Sequence, residues 1–75
     1  MAPSKQIDYL KVVGSNITKI RKKKGMTSKE LGDLCDIEKS NLIPIEKGRI
    51  NVTITTLSKI AKALEVDLKA LLEHD

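Results

Sequence analysis

The chain holds one cysteine, Cys35, and one histidine, His74, the first residues to weigh for chemistry. A single thiol cannot close an internal disulfide, and one histidine beside the C-terminus cannot build a zinc site with it. No nucleophile stands next to a base, no acid and base are spaced to work as a pair, and no glycine-rich phosphate loop is present. An enzyme is therefore not expected, nor a metal or cofactor. What remains is positive charge. Residues 1–49 carry 11 Lys and Arg against 6 Asp and Glu, whereas residues 50–75 carry 3 against 4. A polyanion would sit against the basic part, although a merely soluble basic face fits a net charge of +4 equally well. With no Phe or Trp and only Tyr9 for stacking, duplex DNA is a better candidate than a single strand.

Seventy-five residues make one small domain, 1–75, with residues 1–4 expected to be disordered. Such a chain buries roughly 60% of the surface exposed when unfolded. A core that small gains from a staple, and with disulfide and metal set aside, self-association is the remaining one. The lone cysteine fits a reducing cytoplasm. No apolar run approaches a signal-peptide core or the roughly 20 residues of a membrane span, so a soluble cytoplasmic protein is expected. No site for a small-molecule ligand is evident.

The elements that position the charges read as helices throughout. Ile7, Leu10, Val13, Ile17 and Ile20 recur at three- and four-residue steps and predict an amphipathic helix over about 5–24. Gly14 interrupts it at a cost of about 1 kcal/mol relative to Ala. Lys22, Lys23 and Lys24 load its last turn, where the helix dipole favours cations; a solvated helix end and phosphate contact are equally good readings of that run. Thr27 followed by Glu30 is a capping box that starts a second helix at Ser28, with Leu31, Leu34 and Cys35 on its apolar face. Asp36 suits a left-handed turn and Ile37 plugs that turn into the core.

The stretch "EKSNLIPIEKG" predicts a third helix over about Lys39–Glu46, stopped by Gly48, with Leu42 and Ile45 inward. Steps of 100° place Ser40, Ile43, Pro44 and Lys47 on the opposite side. Pro44 lacks the amide that would have bonded the Ser40 carbonyl, on the side away from the core. Thr53 caps a fourth helix to about Leu64, its apolar positions Ile54, Leu57, Ile60, Ala61 and Leu64. A last short helix begins after Asp67 and carries Leu68, Leu71 and Leu72. Ile50, Val52, Ile54, Leu68 and Leu72 exceed what one small core readily hides and are candidates for a two-fold dimer contact, with ordinary core filling as the alternative.

Two short capped helices joined by about four residues have the layout of a helix-turn-helix. Over roughly residues 13–72, the segments "IRKKKGMTSKEL", "SNLIPIEKG" and "TLSKIAKALEV" resemble the lambda-repressor-like domains of the Cro and XRE type. The match at "EKGRINVT" also resembles the small controller regulators of restriction-modification systems. The resemblance implies an all-α, five-helix domain that binds double-stranded DNA as a homodimer, with helices two and three forming the motif and helix three in the major groove.

Carried onto this chain, the resemblance gives Lys39, Ser40 and Asn41 to base reading: Lys donates to guanine O6 and N7, Asn pairs with adenine, and Ser is permissive. A hydrogen bond to a neighbouring loop is the structural alternative for Asn41. Thr27, Ser28 and Lys29 would grip a phosphate at the start of the second helix, and Lys47, Arg49 and Asn51 would hold the backbone after the third. Ser28 replaces the family's usual Gln. Glu38 stands where Ser or Thr is usual and is expected to cap its own helix. Arg21 and Glu46 match a structural ion pair between the first and third helices. A sequence-specific regulator on a palindromic operator is the leading reading. A protein-interaction module, such as an antitoxin, is the other, favoured by Ile43 and Pro44 on the outward side of helix three.

Overall fold

The computed structural model describes residues 7–74. Four α-helices, α1 (Tyr9–Lys23), α2 (Ser28–Cys35), α3 (Lys39–Glu46) and α4 (Ile54–Leu64), are followed by one 3-10 turn, Leu68–Leu71. The described residues contain no strand. The expected fifth α-helix is therefore a single 3-10 turn. Asp67 makes no side-chain capping bond to it, and runs of this geometry longer than three or four residues are uncommon. The turn is tied elsewhere: the Asn16 side-chain amide donates to the carbonyls of Leu71 at 2.9 Å and Glu73 at 2.8 Å.

Local chemistry sets most boundaries. Asp8, not a residue near position 5, caps α1, accepting from the Lys11 amide at 3.3 Å; Ile7 lies before the helix and is 43% exposed. The part of the expected first helix at residues 5 and 6, and the disorder expected for 1–4, lie outside the described residues. At α2 the capping box is formed, Glu30 N–H donating to Thr27 Oγ1 and Thr27 N–H to Glu30 Oε1. Asp36 ends that helix in the left-handed region at φ 61°. Thr53 accepts from the Thr56 amide and starts α4. Glu38 precedes α3 without any side-chain capping bond, so its expected capping role is not realised.

The core gathers Val13 and Ile17 of α1, Leu31 and Cys35 of α2, Leu42 and Ile45 of α3, Leu57, Ile60, Ala61 and Leu64 of α4, and Leu71. Ile37, Val52 and Leu68 pack against it from the connections. Leu34 does not join, being 62% exposed. The buried residues of α2 are Leu31, Gly32 and Cys35; at 100° per residue Leu34 stands about 100° from the middle of that stripe, in an open depression it shares with Lys59, Lys62 and Ala63 of α4. Cys35 lies inside, its thiol donating to the Leu31 carbonyl at 3.1 Å. Burial raises its pKa above the ordinary thiol value, opposed by smaller backbone and lysine contributions. It behaves as a small core residue rather than a nucleophile.

Candidate nucleic-acid interface

The third helix is held by the side chains behind it. Arg21 of α1 meets Glu46 of α3 through two parallel contacts, Nε to Oε2 at 2.8 Å and Nη2 to Oε1 at 3.0 Å. Arg21 Nη1 also donates to the Met26 carbonyl at 2.9 Å, so one guanidinium ties α1 to the turn before α2 and to the end of α3. Both side chains are buried, at 11% and 7% relative exposure. Fork-to-fork geometry of this kind fixes orientation as well as distance. Ser28 stands close by, its hydroxyl 3.4 Å from Glu46 Oε1.

Close backbone approach completes the clamp. A Cβ built on Gly14 of α1 would lie 2.6 Å from the Ile45 carbonyl oxygen and closer still to that of Glu46, so α1 crosses the C-terminal end of α3 with no room for a side chain. Gly48 ends α3 at φ +69°, and a Cβ there would meet the Lys11 backbone. The left-handed conformation and the contact each call for glycine.

At the opposite end of the helix from this clamp, the first turn of α3 presents Lys39, Ser40 and Asn41, all exposed. Among the described residues no side-chain hydrogen bond ties Asn41 to a loop, and its backbone N–H donates to the Glu38 carbonyl at 2.9 Å. Ile43 and Pro44 are half-buried rather than fully outward. Pro44 sits inside α3 without ending it, since the Lys47 N–H still reaches the Ile43 carbonyl at 3.0 Å. Beyond the helix, Lys47, Arg49 and Asn51 are exposed along the loop.

The expected phosphate group at α2 is less uniform. Thr27 Oγ1 is engaged as an acceptor in the capping box, and Lys29 reaches Asp33 at 3.1 Å. That pair is solvated, with both side chains about 70% exposed, and such surface pairs are worth little, so the lysine can turn to another anion. The Ser28 hydroxyl faces the buried ion pair, which leaves its backbone amide as the donor at the helix start. Of the five residues expected at a dimer contact, Ile50, Ile54 and Leu72 are exposed, at 41%, 61% and 37%, whereas Val52 and Leu68 are partly buried against the core.

The sequence leaves open whether Lys22 meets phosphate, and it does not single out Ser15 or Lys19. Ser15, Lys19 and Lys22 of α1 line the same surface groove as Ile43 of α3 and Lys47 just after it. Their spacing of four and three along α1 was available, but only the packing of α1 on α3 shows which helix they face. Among the described residues no helix is long and apolar enough to cross a membrane.

The helix-turn-helix family HTH_3 matches residues 17–71. The uncharacterized HTH-type transcriptional regulator y4dJ of Sinorhizobium fredii is 38% identical over 60 residues, covering 80% of this chain and 78% of the relative. Control protein C.BamHI of Bacillus amyloliquefaciens is 36% identical over 61 residues, covering 80% and 75%. Among solved structures, the biofilm master regulator SinR in complex with DNA superposes with a TM-score of 0.77 at 34% identity, covering 81% of this chain and 98% of that one. These relatives are transcriptional regulators, not enzymes. By the extent of the family match and the identity to these relatives, this chain belongs to the HTH_3 helix-turn-helix family of Cro/XRE-type transcriptional regulators.

Proposed function

We infer that this protein binds double-stranded DNA sequence-specifically, as a homodimer on a palindromic operator, and thereby regulates transcription. The observation that carries the reading is the exposure of Lys39, Ser40 and Asn41 together on the first turn of a helix anchored at its other end by the buried Arg21–Glu46 pair. A base-reading turn has to be both free in front and fixed behind, because a bidentate contact discriminates only if its donors arrive in register. Lys39 and Asn41 read purine edges, and Ser40 tolerates either partner. At the start of α2 the Ser28 amide and the Lys29 side chain hold one phosphate strand, with Thr27 fixing that turn through its capping box, while Lys47, Arg49 and Asn51 hold the other flank.

Exposed Ile50, Ile54 and Leu72, with Val52 and Leu68 behind them, supply the two-fold contact that places two recognition helices about 34 to 36 Å apart. The similarity to the restriction-modification controller proteins C.Esp1396I and C.AhdI, and to control protein C.BamHI, supports a role as a restriction-modification controller. Selection of bound duplexes from a random pool, followed by salt titration of the winning sequence, tests the whole reading. A palindromic site and a log-log salt slope of roughly −5 are expected for a dimer neutralising about 6 phosphates. A flat salt profile would sink it.

Pro44 separates this reading from that of a protein-interaction module. It lies one turn after Ser40, at a position where apolar contact with a thymine methyl is the most the side chain can make. Pro44→Arg is expected to tighten DNA binding and blunt its sequence preference, measured by anisotropy on the selected site and on unrelated duplexes. Unchanged DNA binding combined with loss of a protein complex would favour the interaction module instead.

A further inference from the structure

The lysine run at the end of α1 is divided by the fold, and only part of it faces the recognition helix. Lys22, with Lys19 and Ser15 one and two turns earlier, lines the groove shared with Ile43 of α3 and with Lys47 at its end. Lys24 lies in a different depression, beside Glu30 and Asp33 of α2. Lys39, Ile43 and Lys47 are spaced by four, so the Ile43–Lys47 flank of the groove continues the face on which Lys39 stands. A duplex seated on that face brings its phosphodiester strand over the groove. The charge there suits an anion: Lys19, Lys22 and Lys47 are exposed, and among the described residues none makes an ion pair. The acid in the groove, Glu46, is occupied by Arg21.

We propose that the α1–α3 groove is an additional DNA-backbone site, in which Lys19 and Lys22 of α1 join Lys47 in neutralising phosphates flanking the recognition helix. The proposal rests on the DNA-binding reading above and extends its footprint to a helix outside the helix-turn-helix. A phosphate contact carries no base information, so its signature is the salt dependence rather than the sequence preference of binding.

The test compares Lys19→Ala, Lys22→Ala and Lys24→Ala in the full chain, each titrated with salt on the selected duplex and on a scrambled one. All three side chains are exposed, and circular dichroism is expected to show unchanged folding. Lys19→Ala and Lys22→Ala are each expected to flatten the log-log slope by about 0.9 per bound copy, and to weaken selected and scrambled duplexes by the same factor. Lys24→Ala leaves the slope as it is. The proposal is overturned if Lys22→Ala and Lys24→Ala behave alike, or if Lys19→Ala and Lys22→Ala keep the parent slope while the unaltered protein binds steeply; in the second case the DNA-binding reading stands. If the unaltered protein selects no duplex, both fall.

Discussion

Glu46→Ala lowers the unfolding free energy by about 3 to 5 kcal/mol, read as a large drop in urea midpoint with an unchanged m-value. The reason is the charge left behind. Arg21 is 9% exposed, and without Glu46 its guanidinium keeps, among the described residues, just the bond to the Met26 carbonyl. A domain of this size has roughly 4 to 11 kcal/mol of stability in total, at about 0.05 to 0.15 kcal/mol per residue. One substitution behind the recognition helix therefore removes a large fraction of it.

The paired variant decides whether the cost comes from a lost attraction or a stranded charge. Arg21→Met with Glu46→Leu replaces both ions by apolar groups of similar volume and is expected to recover most of the loss, because no buried charge is left stranded and the loss of the donor to the Met26 carbonyl is the smaller cost. If the double variant is as unstable as Glu46→Ala, the stranded-charge explanation fails. If Glu46→Ala itself costs less than about 1 kcal/mol, the pair behaves as a solvated surface bridge, contrary to its burial. Mutual orientation of α1, α2 and α3 depends on the same guanidinium, so the stability effect and any loss of DNA affinity share a cause.

The features legible in the sequence are those decided within a few residues. Thr27 with Glu30, Thr53 and Asp36 act on backbone groups three or four positions away, and both limits of α2 and the start of α4 follow from them. Leu34, expected on the apolar face of α2, is exposed because its burial depends on how α4 is laid against α2, which no local pattern contains. The last turn, expected to be capped by Asp67, is bound instead by Asn16, 55 and 57 residues away from its acceptors in the chain. At the site the same division holds. The exposure of Lys39, Ser40 and Asn41 follows from helical spacing and resemblance, but the facing of Lys19 and Lys22 toward Ile43 requires α1 and α3 to be laid together.

Gly14 marks the point at which local reasoning gives the wrong sign. Helix propensity alone makes Gly14→Ala stabilising by about 1 kcal/mol, since glycine is the poorer helix former at a mid-helix position. The fold reverses this. The added Cβ would stand 2.6 Å from the Ile45 carbonyl oxygen and nearer that of Glu46, and both obstacles are main chain that cannot swing aside like a flexible side chain. Relief requires α1 to move off α3, which stretches the two Arg21–Glu46 contacts made two turns along α1. Overpacking costs typically 1 to 3 kcal/mol, and weakening the buried pair adds to it, so a net loss of about 3 kcal/mol is expected in urea unfolding. A Gly14→Ala variant as stable as the parent would mean that α1 can slide across α3 without penalty. In that event the geometry behind both the buried pair and the α1–α3 groove is soft, and the recognition turn is not held in register from behind.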